Sequence, residues 1–208
     1  PSSENPFFQV EAREYQPKLH KGNGLRFELR ANPVITRNGK KHDVVMDAQR
    51  TFLTSLCVEF NLQSRLSSTS KKQEFKKALL TYGGDALDGR LTTLLKNDFR
   101  YAERLRQSMQ LHGKLEWSIK AIVDDALEKW MIRQSQNHGF SLAKDNNNQC
   151  KLQNSAYRWH SIKANKGIKS GFSSVDFTGN LEVTDVEKVT KALFGGIGRA
   201  KAFGCGFL

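Results

Sequence analysis

The segment Val175-Asp176-Phe177-Thr178-Gly179-Asn180-Leu181-Glu182-Val183-Thr184-Asp185-Val186-Glu187 passes from one hydrophobic period to another. Val175, Phe177, Leu181 and Val183 alternate with polar residues, the period-two pattern of a half-buried strand, and Gly179 interrupts them as a bulge would. Thr184 and Glu187 then form a capping box that opens a short helix over 185–194, closed by Gly195. Beyond it, Ala202-Phe203 through Phe207-Leu208 reads as a closing strand. The unit is strand (172–183), helix (185–194), strand (202–208).

Upstream, Phe140 to Leu142 is strand-like and Asn146-Asn147-Asn148 is a loop, so a strand is expected over 140–155. Before it, Ile119, Ile122, Val123, Ala126, Leu127, Trp130 and Met131 have helical spacing over 119–135, and His138-Gly139 supplies the C-terminal stop. Earlier still, Leu25, Phe27, Leu29 and Ala31 alternate with Arg26, Glu28 and Arg30, a strand over 25–31 that Asn32-Pro33 ends. The order is βαββαβ, which predicts an α+β chain with a ferredoxin-like (RRM-like) domain. Between its first strand and first helix lies a helical block. Phe52, Leu53, Leu56 and Phe60 share one face, and Ser70 with Gln73 reads as a capping box for a helix carrying Phe75, Leu79 and Leu80, ended by Gly83-Gly84. A third helix is expected through Leu87, Leu91, Leu94, Leu95, Phe99, Leu105 and Met109, stopping near Gly113. The expected division is 1–46 (first strand and turn), 47–117 (helical insertion) and 118–208 (the rest of the ferredoxin-like domain).

The chain has 208 residues, enough for a real hydrophobic core, and 38% hydrophobic content with 10% aromatics excludes a disordered chain. No apolar run approaches the ~20 residues a membrane span needs. Pro1 to Pro6 is polar without a signal-peptide core, and both ends read as cut from something longer. Cys57, Cys150 and Cys205 are isolated, with neither a disulfide framework nor zinc spacing, so a reducing, intracellular setting is expected. Lys+Arg 33 against Asp+Glu 21 leaves a net charge of +12. Such a balance favours a polyanion, because Lys and Arg displace counterions from phosphates, although a basic protein need not bind nucleic acid.

Two segments carry candidate chemistry. In Gly195-Gly196-Ile197-Gly198-Arg199-Ala200-Lys201-Ala202-Phe203-Gly204-Cys205-Gly206, glycines let backbone amides approach a phosphate while Arg199 and Lys201 bring charge. A dinucleotide fingerprint is excluded, since the loop follows a helix and precedes a strand, and so is a Walker A loop, which needs Gly-Lys-Ser/Thr. A helix C-cap with a kinked edge strand accounts for the same glycines. The second segment runs from Asn146 to Val175 with no acidic residue, yet holds Lys151, Arg158, Lys163, Lys166 and Lys169. Its Tyr157-Arg158-Trp159-His160 run suits stacking and charge-assisted phosphate contacts, or is a solvated basic hairpin. His20, His42, His112, His138 and His160 show no metal-ligand spacing. Only His160 falls within the basic stretch, and His138 reads as a helix-end residue.

Together these segments resemble CasE-type proteins, the CRISPR RNA-processing endoribonucleases of Cascade complexes. The resemblance rests on Leu25-Arg26-Phe27-Glu28-Leu29-Arg30-Ala31-Asn32-Pro33 with its basic turn (Arg37, Lys40, Lys41), and on Gly196-Ile197-Gly198-Arg199-Ala200-Lys201 with Gly204-Cys205-Gly206. Ala126 to Trp130, Gly139 to Leu142 and the strand Val175 to Val183 fall between them in the family's order. It covers about 25–43 and 119–208. The resemblance implies recognition of a CRISPR repeat RNA stem-loop alongside other Cascade subunits, in the cytoplasm, with no cofactor and no metal. It implies RNA contacts from Arg158, His160, Lys163, Lys166 and Lys169 on a basic hairpin, and from Gly195, Gly196, Gly198, Arg199 and Lys201 on the glycine loop. Cleavage in the family leaves a 2′,3′-cyclic phosphate and a 5′-hydroxyl, with a histidine as acid or base. That histidine belongs to an N-terminal domain with no counterpart before Leu25, so none of the five histidines inherits the role. A non-catalytic subunit capping an RNA hairpin and a helical protein-binding adaptor are the alternative readings.

Overall fold

A computed structural model describes residues 16–67, 69–106, 109–163 and 169–208. Strand β1 (Gly24–Ala31) buries Phe27, Leu29 and Ala31 and leaves Arg26, Glu28 and Arg30 outside, as its alternation requires. Pro33 ends it. A two-stranded ribbon follows, β2 (Val34–Arg37) and β3 (Lys40–Asp43), turned through Asn38 and Gly39, both at positive φ as a tight primed turn demands. Helices α1 (Val44–Glu59), α2 (Lys72–Tyr82), α3 (Gly84–Lys96) and α4 (Leu111–Asn137) come next. They lead into β4 (Phe140–Leu142), β5 (Leu152–Lys163), β6 (Lys169–Val183) and α5 (Val186–Gly195).

The main sheet is antiparallel throughout. The long β6 is its centre, with β1 on one side and β4 and β5 on the other. Up to α5, strand order and helix placement follow the ferredoxin-like βαββαβ unit, α4 and α5 being its two helices. One core joins the sheet to the helices: Phe177, fully buried on β6, stacks on Trp130 of α4 at 5.7 Å, while Leu53, Leu56, Leu79, Leu87, Leu91 and Leu115 continue it into α1 to α4. A smaller cluster of Leu95, Tyr101 and Ala121 ties the end of α3 to α4. There Asp124, buried on α4, accepts from the Tyr101 hydroxyl and from Lys120, and burial together with that carboxylate pushes the Tyr101 phenol well up.

Five local expectations differ. The third helix does not continue to Gly113: α3 stops at Lys96, where Asp98 takes the Arg100 amide and both arms of its guanidinium, a local bonding pattern that competes with the helical one. Gly113 instead lies within α4, which starts earlier than 119. The strand expected over 140–155 is two, β4 and β5, separated by the loop in which Asp145 accepts from the amides of Asn147 and Gln149. The caps shift by one residue, since Asp185 rather than Thr184 caps α5 and Lys71 rather than Ser70 precedes α2. Finally, the bulge is not at Gly179, where pairing to β1 runs unbroken. There a Cβ would meet the Lys151 carbonyl oxygen at 2.7 Å, so close backbone approach explains the glycine. The bulge is on β5, between Ser155 and Arg158, with Ala156 at φ 53°.

Candidate nucleic-acid interface

Beyond Ala31 the edge of β6 has no strand beside it, and the sequence fills that edge with side chains and with the tail. The Asn32 amide, buried, donates to the Ser173 carbonyl at 2.7 Å, standing in for the ladder bond that the chain loses at Pro33. Asn32 also bridges to Arg199. The expected closing strand over 202–208 does not form. In its place the tail bends through Gly196, Gly198, Ala200, Gly204 and Gly206, all at positive φ, and makes one tight turn over Lys201–Phe203. Gly206 shows why a strand fails: its amide reaches the Arg30 carbonyl at 2.6 Å and its carbonyl receives the Ile197 amide at 2.7 Å. A Cβ there would sit 2.5 Å from the Ile197 oxygen. The tail thus lies beside β1 where a fourth strand would run, folded on its own carbonyls.

Tail, ribbon and hairpin enclose a cleft of about 650 Å³. Gly198, Arg199, Ala200, Lys201 and Phe203 form one wall, Trp159, Ile162, Gly171 and Phe172 another, and Asn32, Val34, Lys41 and Asp43 the third. Arg199, Lys201 and Lys41 have no ion-pair or hydrogen-bond partner for their side chains among the described residues. Asp43 is the acidic residue of the cleft, and its oxygens are already engaged. They cap α1 through the Met46 amide (2.9 Å) and accept from the Ser173 hydroxyl, while Tyr157 approaches from the bulge. Burial, reinforced by the Asp43 carboxylate, pushes the Tyr157 phenol up to about 12. That cluster joins β3, α1, β5 and β6, so one carboxylate ties the ribbon wall to the hairpin wall.

The sheet face turned away from the helices is a second surface. Arg158 and His160 point there, opposite Ser174 and Phe172. His160 Nε2 lies 2.8 Å from the Ser174 hydroxyl, and its ring stacks on Phe172 at 4.7 Å. Farther along, Arg30 holds Asp176 with a two-pronged contact (2.6 and 2.8 Å), a hydrogen bond that keeps the carboxyl below the usual range.

Of the residues singled out from sequence, Gly198, Arg199 and Lys201 line the cleft, while Arg158 and His160 sit on the neighbouring open face. Lys163 and Lys169 pair on the last described rung of the hairpin, and Lys166 lies outside the described residues. Gly195 ends α5 with open space around it, whereas Gly196, at φ 71°, caps that helix close to Gly206. Sequence reasoning missed Phe172, Phe203, Lys41 and Asn32 as site residues. Period-two reading assigned the two phenylalanines to strands, and only the folded tail brings them to the same place.

Fold and site together define a ferredoxin-like α+β protein with a cationic cleft at the sheet edge. Its relatives agree. The family model described as CRISPR associated protein matches residues 2–208, and the chain belongs to that family. The CasE-type resemblance drawn from the two motifs is thereby borne out. Among solved structures, a CRISPR endoribonuclease Cse3 bound to 19 nt RNA has the same fold at 18% identity, with a TM-score of 0.51 over 95% of this chain and 60% of that one. Thermus thermophilus Cse3, bound to an RNA representing a pre-cleavage complex, matches at 18% identity and a TM-score of 0.46, covering 93% of this chain and 55% of that one. The chain therefore spans a little over half the length of these solved structures. No curated protein matches it.

Proposed function

We propose that this chain recognises CRISPR repeat RNA, holding its ribose-phosphate strand in the cleft between the glycine-bent tail and the β5–β6 hairpin. The observation that carries this reading is the meeting of three cations, Arg199, Lys201 and Lys41, free of carboxylate partners among the described residues, across a cleft whose acidic residue is already bonded. Phosphates gain most from cations that need not abandon a partner. The solved neighbour of the same fold, with its 19 nt RNA, supports the substrate class. The repeat stem-loop and other Cascade subunits are the partners this reading assigns, in the cytoplasm. No helix among the described residues is long and apolar enough to cross a membrane.

The reaction we assign is metal-independent. The ribose 2′-oxygen attacks the adjacent phosphorus, the bond to the 5′-oxygen breaks, and a 2′,3′-cyclic phosphate and a 5′-hydroxyl remain. One proton must leave the 2′-hydroxyl and one must reach the departing oxygen, a task worth about 10²–10⁴-fold for a positioned histidine. His160 is the histidine on the open face, and its Nε2 is engaged by Ser174. His20, His42, His112 and His138 lie outside both the cleft and the ring row. We therefore give this chain the recognition step and place the proton transfer on a histidine outside this site. Incubating the purified chain with labelled repeat stem-loop in EDTA tests both parts. The expected result is a shifted complex with uncut RNA. Cut RNA would overturn the placement of the histidine, and absence of a complex would overturn the RNA reading.

A further inference from the structure

Three rings cross the open sheet face in a row, one from each of three chain segments. His160 of β5 stacks on Phe172 of β6 at 4.7 Å and 20°, and Phe172 stacks on Phe203 of the tail turn at 4.9 Å and 28°. This row does not belong to the core, which lies on the other face of β6 under α4. Its last ring is 57% exposed. Yet the turn presenting it is tightly built: the Phe203 and Cys205 amides both donate to the Ala200 carbonyl, with Ala200 and Gly204 in left-handed conformations on either side. Holding an L-alanine there strains the backbone, since its Cβ crowds the following carbonyl. The fold accepts that strain and leaves a large apolar ring in water, beside Arg199 and Lys201, which have no carboxylate partners among the described residues.

We propose that the outer face of Phe203 is a stacking site for one unpaired nucleobase, next to the phosphates held by Arg199 and Lys201. The proposal rests on the RNA reading above and adds a single-stranded element to what the cleft takes. A flat ring continuing a stack offers a π-face and no enclosing pocket, which suits a base and gives an apolar side chain little to fill. A bare ring face discriminates little between bases, so stacking there is tolerant of base identity.

The test uses two RNAs, a blunt repeat stem-loop and the same stem-loop with a short unpaired extension containing 2-aminopurine. With the wild-type chain, binding should quench the 2-aminopurine and favour the extended RNA. Phe203→Ala should abolish the quench and weaken the extended RNA about tenfold more than the blunt RNA, within the worth of one base–aromatic stack. Phe203→Trp should restore both. Should the alanine variant melt early, Phe203→Leu, which keeps the apolar bulk without the ring, gives the same readout. An unchanged quench in a variant that still binds RNA overturns the stacking site alone, as does an equal loss for both RNAs. Failure of the wild-type chain to bind either RNA overturns the RNA reading itself.

Discussion

Arg30 and Asp176 show how much of the site depends on single side chains. Both point from the open face, and their paired contact joins β1 to β6 just where the tail docks, since the Arg30 carbonyl also accepts from Gly206. The Arg30 hydrogen bond lowers the Asp176 carboxyl below its ordinary value near 3.8. A group whose folded value is lowered stabilises the fold above its unfolded value, and that contribution disappears as pH falls through the folded value. Arg30→Gln should therefore destabilise the chain at pH 7, with the difference from wild type shrinking below about pH 4. Urea denaturation at pH 7 and pH 3 measures it, and a pH-independent difference would refute the ion pair. The two residues were legible singly, as the polar members of alternating strands. Their partnership was not, because strand register cannot be read from period alone.

Among the elements, the β5 bulge has the largest effect on the site. Leu152 to Ser155 and Arg158 to Lys163 both pair with β6, but one extra residue enters between them. Side chains on a strand change faces with every residue, so an inserted residue exchanges the two faces of all that follows. With the bulge, Arg158 and His160 reach the open face while Trp159, 55% exposed, borders the cleft. Without it, they would trade places. Deleting Ala156 should preserve helix and strand content by circular dichroism yet remove His160 from the ring row, and RNA affinity should fall. Retained affinity would show that the row is dispensable. Period-two patterning located β1 and the C-terminal half of β6, and the helix stop at His138-Gly139 stands, His138 bonding back to Gln134. Patterning could not locate the bulge, since Ala156 has no residue signature for a left-handed conformation. Nor could it show that the tail is bent: its apolar residues alternate as a strand's do, and only the close approach of Gly206 to Ile197 reveals why the segment folds on itself.

At the scale of the whole molecule, a net charge of +12 says little until it is located. The helical surface neutralises many of its cations by local pairing, as in Lys76 with Glu116, Lys114 with Asp88 and Arg90 with Glu59. Among the described residues the cleft cations have no such partners, so binding should depend on a few residues rather than on overall charge. Arg199→Gln with Lys201→Gln should weaken repeat RNA binding and make its salt dependence shallower, by about one unit of slope for each phosphate no longer neutralised. Neutralising Lys76 and Lys114, which already have partners, should leave the slope unchanged. Equal effects from the two pairs would mean that charge acts diffusely. The basic balance was visible in composition, and the glycine motif in sequence, but the third wall at Lys41 came only from the ribbon folding back on Asp43.

The irregular tail has one more effect, on what the sheet presents to other molecules. A straight border strand offers a regular row of donors and acceptors to any extended peptide, and proteins with such borders are prone to recruit copies of themselves. Here the margin beyond Ala31 is occupied by a segment whose amides at Ile197, Phe203, Cys205 and Gly206 are already bonded within the chain. An arriving strand finds no continuous track there, so the same bends that present Arg199 and Lys201 also discourage self-association at that margin.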